Sequence, residues 1–322
     1  MHLPIKTPVK ILAKKCGSLP SARLKPLEKP PYIVDKPLSE VQVTRWRAGA
    51  STKATDKVAE EVPIALIYNG VSHAVMLATP QDLEDFALGF SLSEGILQSK
   101  SELYDVEIVT QTQGIELHLE VASEAFSMLK QRRRNLTGRT GCGLCGAESL
   151  EQALRLPVSE KDSIKKTTRE KNDALQTSIH KPSGASLEKI SAASILTAFK
   201  AIQTKQVLQQ ATGATHACAW VNADGEIELL REDVGRHNAM DKLIGALAKL
   251  PAKNNGFVLT SSRASVEMVQ KVALAGHSLL AAISAPTGLA IRIAEAYGVT
   301  LVGFLREQQF VIYAHPQRIK IN

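Results

Sequence analysis

Hydrophobic and polar positions alternate from residue 63 onward. Ile64, Leu66 and Tyr68 share one parity, Asn69-Gly70 interrupts them, and Val71, His73 and Val75 resume the period of two. This pattern predicts a β-hairpin with a two-residue turn. Thr79-Pro80 then opens a segment with Leu83, Phe86, Ala87 and Phe90 on one helical face. A second strand pair is predicted at 104–110 and 115–121, turning at Gln113-Gly114, followed by a helix at 123–133. Helical spacing returns at 147–156 and again at 191–209. From there strands are predicted at 216–221, 226–230, 257–260, 279–283 and 300–304, with an edge strand at 310–313. Helices fall at 237–249, 265–275 and 287–296. Strands alternating with helices of this length predict an α/β fold with a mostly parallel sheet.

Composition adds boundaries. The chain has 322 residues, 44% of them apolar and 4% aromatic, enough for an aliphatic core of one large or two ordinary domains. No apolar run approaches the ~18–20 residues that cross a bilayer. The net charge is +7, and residues 1–60 carry all of it, with twelve Lys and Arg against five Asp and Glu. Pro4, Pro8, Pro20, Pro26, Pro30, Pro31 and Pro37 break helix and strand among those lysines. The expected organisation is a basic, Pro-rich, largely flexible arm at 1–60 and an α+β domain at 61–156. A polar linker or insertion follows at 157–189, then an α/β domain at 190–322. The neutral body argues against a nucleic-acid partner, and no membrane partner is expected. Four cysteines without a secretory apolar segment indicate a reducing, cytoplasmic setting.

Chemistry concentrates in a few places. Gly141-Cys142-Gly143-Leu144-Cys145-Gly146 packs three glycines and two thiols into six residues. Arg139 and Arg132–Arg134 precede it and a predicted helix follows, a setting that favours a thiolate. Spacing alone leaves three chemistries open: a nucleophilic sulfur site, half of a zinc site, or a thioredoxin-type redox pair. A zinc site would need two more ligands, which His216 and Cys218 could supply. Arg236 and His237 follow Gly235 between a strand and a helix, a place suited to an anion, the alternative being a capped helix with a surface ion pair. Ser262 and Arg263 end the next strand, where the alternative is ordinary N-capping by Ser262 or Ser265. Ser284-Ala285-Pro286-Thr287 and Gly303-Phe304-Leu305-Arg306 repeat the arrangement, so that together they predict one anion-binding rim.

These residues resemble the FdhD family, the formate dehydrogenase accessory sulfurtransferases. The resemblance runs from about Val62 to Ile319. It rests on DLEDFALGFSLSEGI, GRTGCGLCGAESLE, THACAWVNADGEIELLREDVGRHNAMDKLIG, LTSSRASVEMVQKVALAGHSLLAAISAPTGLAI and LVGFLR with VIYAHPQR. It implies a C-terminal three-layer α/β/α domain similar to the cytidine deaminases, beside a smaller N-terminal α+β domain. The deaminase zinc signature is absent, so deamination is not implied and no metal held by protein side chains is expected. The implied activity is sulfur transfer. A cysteine desulfurase loads a persulfide on Cys142, with Cys145 as a helper or resolving thiol. The sulfur passes to the bis(molybdopterin guanine dinucleotide) molybdenum cofactor, a bound substrate destined for formate dehydrogenase. By the same resemblance Phe304, Leu305, Arg306, Glu307, Gln308 and Gln309 contact that cofactor, and the protein is a homodimer. Arg236, His237, Ser262 and Arg263 complete the expected binding set.

Overall fold

The computed structural model describes residues 36–134, 189–251 and 255–321. The cysteine loop at 141–146, the helix expected at 147–156 and nearly all of the 157–189 segment lie outside the described residues.

The described chain opens with a hairpin, β1 (Leu38–Arg47) and β2 (Ala50–Ala59), paired antiparallel from Leu38↔Ala59 to Arg47↔Ala50. Ala48 and Gly49 both have positive φ, 51° and 87°, as a two-residue hairpin turn requires. This part of the stretch read as a flexible arm is therefore ordered in strands. Val41, Val43 and Thr44 on one strand and Thr52, Thr55 and Val58 on the other favour the extended chain despite the lysines.

A four-stranded sheet follows in the order β4-β3-β6-β5, built from β3 (Val62–Tyr68), β4 (Val71–Ala78), β5 (Leu103–Gln111) and β6 (Gly114–Val121). Asn69 and Gly70 form the predicted turn, both at positive φ. Alternate residues of β3 and β6 are buried, and Ile64, Leu66, Leu117 and Leu119 form a core with helices α1 (Leu83–Ser93) and α2 (Ser123–Arg134) through Phe86, Phe90 and Leu129.

The larger sheet has six strands in the order β13-β12-β11-β10-β8-β9. They are β8 (His216–Asn222), β9 (Ile227–Asp233), β10 (Gly256–Thr260), β11 (Leu279–Ala282), β12 (Thr300–Arg306) and β13 (Gln309–Ala314). Only the β10–β11 and β11–β12 pairs are parallel. The β8–β9, β8–β10 and β12–β13 pairs are antiparallel. The sheet is thus mixed rather than mostly parallel, because hairpins flank the crossover strands on both sides. A short parallel pair, β7 (Ile190–Ser191) with β14 (Ile319–Lys320), ties the two ends of this region together.

Both faces of the six-stranded sheet are buried. Trp220, Val258, Leu280 and Leu301 pack with Met240, Leu243, Val269 and Ile293 of α5 (Arg236–Ala248), α6 (Val266–Leu274) and α7 (Gly288–Tyr297). Ala219, Leu259, Ala281 and Val302 pack with Ile195, Phe199 and Ile202 of α3 (Ala192–Lys205). The helix expected at 191–209 is broken at Gln206, and a separate α4 (Val207–Thr212) follows. The buried Glu232 carboxylate accepts from the Leu208 and Gln209 amides at 2.9 Å each, which starts a new helix there.

Helix α1 crosses α5 at a glycine contact. A Cβ on Gly89 would fall inside the Asp241 carbonyl, and one on Gly245 inside the Asp85 carbonyl. Mid-helix glycines each cost about 1 kcal/mol relative to alanine, a cost that the close approach of two backbones explains.

Candidate functional site

Strand direction assembles the site. β8 runs antiparallel to β10, and β11 and β12 run parallel to β10. The start of β8 therefore shares one sheet edge with the ends of β9, β10, β11 and β12. Backbone hydrogen bonds stitch the loop ends together along that edge. Ser261 N donates to Ala217 O at 2.9 Å, Ser284 N to Ser262 O at 3.4 Å, and Phe304 N to Ser284 O at 3.3 Å. The rim expected from three separate sequence segments is thus continuous.

A buried network sets the turn that carries Arg236. Lys242 Nζ lies 2.7 Å from Asp233 Oδ2, with both side chains fully enclosed. Asp233 also accepts from Thr79 N at 3.0 Å, Gly235 N at 2.7 Å and Asn238 Nδ2 at 3.0 Å. Lys242 donates to Thr79 O at 2.9 Å. These contacts fix the backbone from Asp233 to Asn238 and lock it to the end of β4. The charges of the 231–238 stretch are therefore mostly internal rather than a surface ion pair. Arg231 turns back to Asp85, donating from Nε and Nη2 at 2.8 and 2.7 Å. Sequence reasoning missed Asp233, Lys242 and Asp85. The available signal was Lys242, a cation set among Met240, Leu243 and Ile244 in the helix predicted at 237–249.

Arg236 stands at the first turn of α5, and its Nε is enclosed without a hydrogen-bond partner among the described residues. Burial, and then the neighbouring Arg263, pull the Arg236 pKa below its ordinary value. Two guanidinium groups held close with one unsatisfied donor fit an anionic substrate, which would supply acceptors and relieve the repulsion. His237 Nε2 lies 3.8 Å from Glu267 Oε2, and this imidazole is the main reason that the Glu267 pKa falls to about 2. His216 opens β8 beside them. Burial, followed by the Arg236 charge, lowers its pKa.

The remaining predicted residues divide by exposure. Arg263 is exposed, whereas Ser262 is buried, its hydroxyl within 3.0 Å of Thr260 Oγ1 and donating to Arg263 O at 3.0 Å. Ser262 shapes the loop from within. Ser265 precedes α6 without a side-chain cap, so it does not supply the N-cap weighed as the alternative for this loop; one loop on, Thr287 does cap its helix, accepting from Ala290 N at 3.3 Å. Leu305 is fully buried in the core, so its side chain does not face the rim. Phe304, Arg306, Glu307, Gln308 and Gln309 are exposed. Phe304 has φ 53°, inside an irregularity of the β12–β13 pairing between Gly303 and Arg306. A left-handed aromatic residue in a bulge is strained, and the bulge turns its ring outward. Arg306 Nη1 reaches back to Ile283 O at 3.0 Å, tying this hairpin to the end of β11. Phe304, Arg306, Gln309 and Phe310 line a cavity of about 310 Å³.

Cys218 lies in β8 with its side chain buried, and burial raises its thiol pKa to about 12, which leaves it inert. Among the described residues no group of three or more His, Cys, Asp or Glu is placed to hold a metal ion, and no helix is long and apolar enough to cross a membrane.

Residues 59–320 match the model of the FdhD/NarQ family. The chain belongs to the FdhD/NarQ family. A relative within it, the sulfur carrier protein FdhD of Cupriavidus necator, is 55% identical over 283 residues, covering 88% of this chain and 90% of its own. The sulfur carrier protein FdhD of Bordetella petrii is 47% identical over 287 residues, covering 88% of this chain and 95% of its own. A crystal structure from Desulfotalea psychrophila, described as a candidate formate dehydrogenase accessory protein, superposes with a TM-score of 0.63 at 22% identity. It covers 88% of this chain and 99% of its own, and shows the shared fold. The family span takes in both the rim and the Cys142–Cys145 segment, which lies outside the described residues.

Proposed function

We propose that this protein is a sulfur carrier that receives sulfur from a cysteine desulfurase on Cys142. It passes the sulfur to the bis(molybdopterin guanine dinucleotide) molybdenum cofactor, its substrate, before that substrate enters formate dehydrogenase. The observation that carries the reading is the 55% identity to a sulfur carrier protein over nearly the whole of both chains. In the loading step the Cys142 thiolate attacks the outer sulfur of the donor persulfide. The donor sulfur–sulfur bond breaks, the donor cysteine leaves as a thiolate, and Cys142 becomes the persulfide without net oxidation. Cys145, three residues on, is the candidate resolving thiol.

The rim supports the second half of the reading. Arg236 and Arg263 are suited to the phosphates of a guanine dinucleotide, and the Phe304–Gln309 hairpin supplies an aromatic ring and a cation for a base. His237 acts through its contact with Glu267, and Ser262 through the loop that presents Arg263. A cytoplasmic homodimer with the three-layer, cytidine deaminase-like architecture completes the proposal. The test is complementation of a strain lacking its own carrier. Cys142→Ala is expected to leave formate dehydrogenase inactive while the protein accumulates normally. Full activity with Cys142→Ala would refute sulfur transfer through this residue and favour a cofactor-binding chaperone.

A further inference from the structure

The rim carries a second cavity, of about 360 Å³, lined by Gln206, Gln209, Thr215, His216 and Ser261. It lies at the start of β8, while the Phe304 cavity lies at the end of β12; Arg263, after β10, stands between them, and Arg236, after β9, flanks the β8 end close enough to feel the Arg263 charge. Along the edge the strands follow as β8, β10, β11 and β12. At about 4.8 Å per strand the two ends are roughly 14 Å apart, the span of an extended dinucleotide. The two cavities differ in chemistry. At the β12 end Phe304 and Phe310 offer flat apolar rings beside the Arg306 guanidinium. Among the described residues, the β8 cavity has no ring in its lining other than the His216 imidazole. Its walls are amide, hydroxyl and imidazole groups. Ser261 Oγ already accepts from Ala217 N at 2.9 Å, which leaves its proton free to donate. Gln209 Oε1 accepts from Thr215 N at 2.8 Å, so its amide donors are the groups left for a ligand.

We propose that the cavity at His216 is the pterin subsite of the rim, with the pyrophosphate across Arg236 and Arg263 and the guanine base against Phe304. The assignment rests on the reading of the protein as a carrier for a guanine-dinucleotide cofactor, and it gives that substrate a direction. A guanine is flat and stacks on an aromatic face, worth about 1–3 kcal/mol per base. A reduced pyranopterin is puckered and saturated in its central ring. It stacks poorly but offers many N–H and oxygen groups, which the polar cavity can meet. The metal end of the substrate then sits at the β8 side of the rim, which is where the persulfide has to arrive.

The test titrates the full-length protein anaerobically with GDP and with tetrahydrobiopterin, each alone and then in the presence of the other. The expected result is simultaneous binding of both. His216→Ala is expected to weaken tetrahydrobiopterin roughly tenfold and leave GDP within about twofold, with Phe304→Ala showing the reverse pattern. His216→Gln, which keeps a hydrogen-bonding group, is expected to recover part of the pterin affinity. The unchanged ligand in each variant reports that the fold is intact. Competition between the two probes would overturn the subsite order, as would a His216→Ala protein that loses GDP but keeps the pterin. GDP binding without any pterin binding defeats this inference alone. A wild-type protein that binds no GDP defeats the functional reading on which it rests.

Discussion

Replacing Asp233 by alanine tests the buried network that holds the rim. The perturbation removes the fully enclosed partner of Lys242 at 2.7 Å and the acceptor for three further donors, Thr79 N, Gly235 N and Asn238 Nδ2. Among the described residues Lys242 then keeps a single acceptor, Thr79 O, for its three protons. Breaking a buried ion pair from one side costs about 3–5 kcal/mol, because the remaining charge is uncompensated. Each orphaned dry donor adds roughly 1–3 kcal/mol, although water entering the vacated space offsets part of this. A loss of about 4 kcal/mol is therefore a lower expectation, or about 8–16 °C in Tm for a domain of this size. Lys242→Met provides the contrast. It leaves the Asp233 carboxylate with all three N–H donors in place and is expected to cost about half as much. Equilibrium urea denaturation of both variants measures the difference. A loss below about 1 kcal/mol in Asp233→Ala, or a larger loss in Lys242→Met, would refute the reasoning.

Three further outcomes are expected. Gly89→Ala forces a methyl into the Asp241 backbone and should destabilise the protein by about 3 kcal/mol or prevent folding, as chemical denaturation would show; a neutral effect would mean that the helix crossing is looser than described. The Glu267 pKa falls from 4.5 to about 2, mainly through His237, so the pair stabilises the fold above pH 4.5 and that contribution fades as pH drops toward 2. Glu267→Gln should accordingly be less stable than wild type at pH 6, with the gap closing in acid, and a gap independent of pH would contradict the assignment. Arg263→Ala, at an exposed position, should leave stability unchanged and weaken GDP roughly tenfold by calorimetry, the loss of one charge-assisted contact.

The elements were legible wherever a period was long and bounded by turn residues. Asn69-Gly70 marked its hairpin, and the β10 to β12 region followed its apolar runs closely. The rim could be anticipated because Ser261–Arg263, Ser284–Pro286 and Gly303–Arg306 each follow such a run. Strand order was not legible, since pairing across β8 and β10 depends on contacts far apart in sequence. The β1–β2 hairpin was hidden by the charge and proline content of its neighbourhood, which outweighed a modest strand propensity. The break at Gln206 depends on a carboxylate, Glu232, that arrives from another strand. Buried charges escaped for a related reason. Lys242 and Asp233 read as ordinary polar residues until the fold encloses them together. At the rim, the resemblance put Leu305 and the loop pattern put Ser262 in the expected binding set, whereas Leu305 is turned into the core and loop hydrogen bonds occupy Ser262.

The central claim is that Cys142 carries the sulfur. The direct measurement is intact-mass spectrometry of the full chain after incubation with a cysteine desulfurase and cysteine, read with and without a thiol reductant. The account predicts a gain of one sulfur atom on the wild-type protein that is removed by reductant, located by peptide mapping to Cys142, and missing from Cys142→Ala. Undiminished loading of Cys142→Ala, or a wild-type protein that takes up no sulfur, would contradict it.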